Sequence, residues 1–420
     1  MGKFKYRFLW TWDHSTNWSK KNIAIQEKGC FNLYLKPPSL FLEDYYYLLM
    51  DFMEKMDFNG LIIWGFFRDS HGGEKNAQKL LKYAKRKKIK ILPGIGLGAY
   101  GGIYYEGNHP YNLKTYISKN FKLAAIDKNG NIIKDILCPS KEENIEWYLK
   151  GIDWLFDNFE IEGVNIETGD YGICHCSECK KRRKEGEYYF STNDIEIYLP
   201  ILERIHKKSP FCLITIGLYV PPMEKEMDVF FNLPSYIVPQ WRLTEIIEKK
   251  PINYLNIKNF KKLKDKFFSL PQKEHIGFFH QGSQWFCNTR HECVIKSIYN
   301  ACKFARELNL SGIVTHGEVQ PYQNPEWFLN YIAFSYFTKN NSSLKDFSKI
   351  LDKYLDGYGE NFFLILFSGN KRNKIEKAIK LLKKIDYSSI FNKNFEGYIL
   401  WRWLETEIYR RLYLIEQWEI

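Results

Sequence analysis

The chain reads as an α/β protein of the (β/α)8 TIM-barrel class with a helical C-terminal extension. Short β-branched or aromatic runs alternate with longer amphipathic stretches from the first residues to about residue 340, as repeated βα units around a parallel sheet do. Eight such runs can be counted, more than a doubly wound sheet would need. The one glycine-rich tract, Gly94, Gly96, Gly98, Gly101 and Gly102, is not followed directly by a helix. It therefore reads as a turn allowing close backbone or ligand approach, not as a nucleotide loop.

Taken in order, the strands are expected at Tyr6 to Trp12, Gly60 to Phe67, Ile89 to Gly94, Gly163 to Glu167, Phe211 to Tyr219, Tyr236 to Trp241, His275 to His280 and Gly312 to Glu318. Helical periodicity falls between them, over Leu42 to Met56, Glu74 to Lys88, Glu142 to Phe156, Asp194 to Lys207, His291 to Leu308 and Trp327 to Phe337. Beyond residue 340 the pattern is purely helical: Leu344 to Tyr358, Asn373 to Ile385 and Gly397 to Trp418. The expected organisation is a barrel over 1–340 and a helical region over 341–420 packed on it.

The 420 residues are 45% apolar and 26% charged, with a mean hydropathy of -0.41, which excludes disordered, collagen-like and membrane-spanning classes. Lys plus Arg, 61, minus Asp plus Glu, 49, gives +12. The basic residues are scattered or in short runs such as Lys85 to Lys88 and Lys261 to Lys266, as on solvated helix faces, and no nucleic-acid module accompanies them. Neither nucleic acid nor a membrane is expected as a partner. The first residues lack a long apolar stretch with a small-residue cleavage site, so a cytoplasmic location is expected. Nine cysteines in a reducing compartment read as buried thiols or metal ligands. The sequence sets no oligomeric state.

Aromatic residues make up 17%, well above an ordinary soluble enzyme. In a barrel the functional site lies at the C-terminal ends of the strands, so the residues ending each strand can be collected. They are Trp12, Asp13 and His14; Trp64, Arg68, Asp69 and His71; Tyr100; Glu167 and Asp170; Tyr219; Gln240, Trp241 and Arg242; His280, Gln281 and Trp285; and His316 and Glu318. Rings beside hydrogen-bonding groups suit a polyhydroxylated ring, whose CH faces stack while its hydroxyls take fixed partners. Carbohydrate contact is thus expected of Trp12, Asp13, His14, Trp64, Arg68, Asp69, Tyr100, Tyr219, Trp241, His280, Gln281, Trp285 and His316. The rings of Trp12, Trp64, Tyr100, Tyr219, Trp241 and Trp285 should face a pocket.

Glu167 and Asp170, three residues apart at the end of the fourth strand, are the expected catalytic pair, with Glu318 as a second carboxylate across the mouth. If Glu167 and Asp170 act side by side, a substrate-assisted reaction through the sugar's own N-acyl group fits. If Glu167 works with Glu318, a direct two-carboxylate reaction fits. Asp170 could instead cap a turn, and Glu318 could pair with Arg68. Cys174, Cys176 and Cys179 have the spacing of metal ligands, and Cys138 or His175 could complete a tetrahedral structural zinc. No cofactor is required for the expected chemistry.

The segment from Asn165 through Glu167 and Asp170 to Cys174, Cys176 and Cys179 resembles the acidic strand end and Cys-x-Cys-x-x-Cys loop of uncharacterised bacterial glycoside-hydrolase-like barrel proteins. These are similar to β-N-acetylhexosaminidases and α-glucuronidases. The stretch Glu318 to Asn341, with Trp327, Tyr331 and Phe337, then Asp346, Phe347, Tyr358 and Gly359, resembles their passage into a helical C-terminal region. The resemblance implies a glycosidase with its acid at Glu167 or Asp170. The chain departs from the hexosaminidase pattern in having Tyr171, not a second acid, after Asp170. The function expected is hydrolysis of a small oligosaccharide or glycoside. A non-catalytic carbohydrate-binding protein and a metal-dependent hydrolase using His14, His71, His280 and His316 are the alternatives.

Overall fold

The computed structural model describes residues 2–12, 42, 46–168, 173–183, 191–218, 223–243, 257–279, 293–317 and 325–418. Its strands, in chain order, are β1 (Tyr6–Trp12), β2 (Gly60–Trp64), β3 (Lys90–Gly96), β4 (Ala124–Ile126), β5 (Ile132–Leu137), β6 (Gly163–Glu167), β7 (Leu213–Ile216), β8 (Ile237–Leu243), β9 (Ile276–Phe279) and β10 (Gly312–His316). All but β4 and β5 form a closed parallel barrel in the order β1-β2-β3-β6-β7-β8-β9-β10, with β10 returning to β1. The eight expected strands are these eight, so the (β/α)8 class is what the chain adopts.

The helices among and after the strands are α1 (Leu48–Met56), α2 (Gly73–Arg86), α3 (Leu113–Lys119), α4 (Glu142–Asn158), α5 (Ser177–Lys181), α6 (Leu199–Lys208), α7 (Met223–Phe231), α8 (Ile257–Phe268), α9 (Ile295–Glu307) and α10 (Pro325–Lys339). Helices alone follow from Leu344 to Trp418, and the last of them, Phe395–Trp418, touches α10. The Lys261 to Lys266 run lies on α8. No helix among the described residues is long and apolar enough to cross a membrane.

The β4–β5 hairpin, inserted between β3 and α4, was not legible as strand, because β5 is mostly exposed or half-buried and shows no apolar face. Its turn is held locally. Asp127 Oδ1 accepts from the N–H groups of Asn129 and Asn131, and Gly130 sits at φ 85°, an Asx-type turn spelled Asp-Lys-Asn-Gly-Asn.

Strand alternation decides what each ring does. Phe8, Trp10, Ile62, Trp64, Leu92, Val238, Phe278 and Val314 point into the barrel and form its own core. Trp64 is fully buried there and does not face a pocket: its indole lies across Gly94, where a Cβ would come within 2.4 Å of the ring. The indole Nε1 donates to Asn165 Oδ1 at 2.8 Å. Trp241 also proves not to be a pocket ring. On β8 the inward positions are Val238, Gln240 and Arg242, so Trp241 points outward into the helix layer, packed on Phe230 and Phe267. Its Nε1 donates to His275 Nδ1 at 3.1 Å, leaving His275 Nε2–H to donate to Gln272 O. That arrangement needs a neutral imidazole, and burial holds His275 down to about 4.

Two outcomes follow. Gly94→Ala should destabilise the barrel by about 1–3 kcal/mol in urea titrations, and adding Trp64→Leu should cost less than the sum of the two single changes. Because the unfolded chain takes up a proton at His275 near pH 6.5 and the folded one only near 4, stability should fall across that window as pH drops. His275→Gln, which keeps both hydrogen bonds, should remove on the order of 2 kcal/mol of that fall, and parallel pH curves for the two proteins would refute the assignment.

Candidate functional site

The C-terminal mouth of the barrel is built on a polar layer. Asn165 of β6, which faces inward, takes the Trp64 indole N–H and donates to Thr215 Oγ1 at 2.8 Å and Gln240 Oε1 at 3.3 Å. All four side chains are buried, so each polar atom in the layer meets another instead of water. Two positions on, the same alternation turns Glu167 inward at the top of β6, 5% exposed. Its carbonyl accepts from Leu97 N at 2.8 Å, tying the strand end to the loop after β3.

Around this carboxyl stand the other strand ends. Tyr100 is half-buried, edge-on to Trp64 with ring centroids 5.5 Å apart, and among the described residues it is the one expected pocket ring not enclosed in the core. His316 ends β10 facing inward, 1% exposed, edge-on to Trp10 and against Phe278. Arg68 and Asp69 knit the loops after β2 and β3. Arg68 Nη1 lies 3.3 Å from Glu106 Oε2, and its guanidinium sits 4.5 Å over the Tyr105 ring. Asp69 takes the Tyr104 hydroxyl at 2.5 Å and Asn108 N at 2.8 Å, so its carboxylate serves the loops and not a sugar. The glycine tract behaves as expected, since Gly101 packs so closely on Tyr105 that a Cβ would meet that residue's carbonyl oxygen at 2.3 Å.

Sequence reasoning missed Glu226. It sits on α7 within a run of charged residues, yet Met223, Glu226, Met227 and Phe230 share the buried helical face. A carboxylate inside an apolar i, i+3, i+4, i+7 stripe was the available signal. Glu226 is fully buried with Oε2 3.8 Å from Arg242 Nη2, and burial pushes its carboxyl up to about 8 against the pull of that guanidinium. The pair sets a cation at the mouth beside β8.

Asp13, His14, Asp170, Tyr219, His280, Gln281, Trp285 and Glu318 lie outside the described residues, as does the side chain of Trp12. A surface groove of about 370 Å³ between Gln78, Ile91, Asn158 and Glu162 is at the opposite, N-terminal end of the strands.

Beyond β6 the four cysteines Cys138, Cys174, Cys176 and Cys179 come together, their sulfurs all within 4.8 Å of one another. Among the described residues this is the one group of three or more His, Cys, Asp or Glu placed to hold a metal. Cys138, directly after β5, completes the set in preference to His175. Bonds from Cys138 and Cys179 hold the Cys174 thiol down to about 3, while the bonds to Cys174 and Cys179 push Cys138 far up.

No protein-family model and no curated protein matches the chain. Among solved structures it is similar to a β-N-acetylhexosaminidase from Bacteroides fragilis NCTC 9343, with a TM-score of 0.51 and 12% identity over 84% of this chain and 70% of that one. A second β-N-acetylhexosaminidase gives 0.50 and 11% over 84% and 78%. A GH138 enzyme targeting pectin rhamnogalacturonan II gives 0.56 and 11% over 91% of this chain, which spans only 55% of that enzyme. At such identities the likeness is one of fold: the chain has the parallel barrel found in these glycoside hydrolases.

Proposed function

We propose that the chain is a glycoside hydrolase that cleaves a small oligosaccharide or glycoside at the C-terminal mouth of its barrel. The observation that carries the reading is Glu167, a carboxyl turned inward at the end of β6 above the Asn165 layer. Glycoside cleavage needs a carboxylic acid to protonate the leaving oxygen as the bond to the anomeric carbon breaks. A second group then attacks that carbon or draws a proton from the attacking water. Glu167 takes one of these roles, and Asp170 or Glu318, which follow β6 and β10 in sequence, takes the other. Arg242, held by Glu226, and Tyr100 supply the cation and the ring that a sugar's hydroxyls and CH face would meet. The barrel shared with glycoside hydrolases supports the same reading.

The test is turnover on a panel of aryl glycosides that includes N-acetyl-β-hexosaminides and glucuronides. Glu167→Gln should lower kcat at least about 100-fold with its melting temperature little changed. Undiminished turnover in that variant would sink the assignment, and sugar binding without turnover by the parent protein would favour the carbohydrate-binding alternative. A second outcome concerns Glu226, which is protonated below about 8 when folded but only near 4.5 when unfolded. Its contribution to stability is therefore complete at low pH and lost as pH rises through about 8. Relative to the parent, Glu226→Gln should gain stability as pH is raised from about 5 to 9, read as urea midpoints.

A further inference from the structure

The geometry of the cysteine cluster is specific. Cys138 Sγ lies 3.6 Å from Cys176 Sγ and 3.7 Å from Cys179 Sγ. A disulfide needs about 2.05 Å, whereas the edge of a tetrahedron of sulfurs bound at 2.3 Å to zinc is about 3.8 Å. All four cysteines are free, three are buried, and Cys176 is partly so. The surroundings are those a thiolate centre needs. Cys179 N donates to Cys176 Sγ at 3.4 Å, and Arg182 Nη2 donates to Cys179 Sγ at 3.5 Å. Arg182 is itself oriented by Asp194 at 3.4 Å, and Arg183 donates to the Cys174 carbonyl. Four thiolates around a divalent ion leave a net charge of −2, which these two guanidinium groups offset.

We propose that Cys138, Cys174, Cys176 and Cys179 form a closed tetrahedral site for one Zn²⁺ ion that clamps the β4–β5 hairpin to the segment leaving β6. Four protein sulfurs fill the coordination shell, so the ion has a structural and not a catalytic role. The ligands come from directly after β5 and from the start of and just before α5, two segments also joined by His175 N to Ile126 O at 2.7 Å and by Arg182 to Ser140 Oγ. Of the four ligands, Cys174 lines a crevice of about 20 Å³ together with Thr168, the residue after Glu167, so the clamp reaches the segment at the top of β6. The proposal is independent of what reaction the mouth performs.

Elemental analysis of the full chain purified without added chelator should find one equivalent of zinc. Exchange with Co²⁺ should give the intense thiolate charge-transfer and visible bands of a tetrahedral four-sulfur site. Cys176→Ser, at the least buried ligand, should shift those bands, while Cys302→Ser, a buried cysteine on α9, should leave them unchanged. Arg182→Gln should weaken zinc binding about 10-fold without altering the cobalt spectrum's form. Protein that is metal-free, with all four thiols open to titration and no rise in melting temperature on adding Zn²⁺, would overturn the site. Iron as the sole bound metal would overturn the choice of ion, and an unshifted Cys176→Ser spectrum would overturn the ligand set.

Discussion

Large rings inside a small barrel require missing side chains opposite them, and the rest of this structure depends on that complementarity. Phe8 of β1 occupies the space a Cβ at Gly60 would take, and Trp64 of β2 occupies the space a Cβ at Gly94 would take. A buried indole removes roughly 150–250 Å² from water, worth several kcal/mol at about 25 cal/mol per Å², but only if its N–H finds a partner. Gly94 gives the indole room to cross to Asn165 on the next strand, and Asn165 then draws in Thr215 and Gln240. The floor of the mouth is thus polar because the core below it is aromatic.

That floor is supported from the side by polar contacts between loops as well as by apolar packing. Arg68 with Glu106 and Tyr105, Asp69 with Tyr104 and Asn108, and Tyr148, whose hydroxyl donates to Gly96 O and accepts from Gly98 N, fix the loops after β2 and β3. Charged groups near the mouth therefore divide into two kinds. Some hold backbone in place, and others, Glu167 and Arg242, are carried on strand ends whose inward direction is set by the pleat.

Much of this was legible in the sequence. The bounds of β1 and β6 are those the β-branched and aromatic runs gave, and the Cys174, Cys176 and Cys179 spacing pointed to the cluster that Cys138 completes. What was not legible was which face each strand residue takes. Gln240, Trp241 and Arg242 read as one polar, aromatic strand end, but neighbours on a strand point opposite ways, and only the register with β9 shows that Gln240 and Arg242 are inside. Asp69 looked like a ligand because its partners, Tyr104 and the Asn108 N–H, lie on a different loop. Glu226 was hidden because a run of charges usually marks a wet face, and only helical phase separates the one buried member.

The closure of the barrel has a consequence for how the chain is made. β1 is paired on one side with β2, its near neighbour in sequence, and on the other with β10, Tyr6 standing beside Gly312. During synthesis the first strand therefore waits with one open edge until the last has left the ribosome, and β9 waits with it. An unpaired edge of aromatic and β-branched residues invites pairing with other chains, so a nascent polypeptide stopped short of Gly312 would carry two adhesive edges where the closed barrel has none.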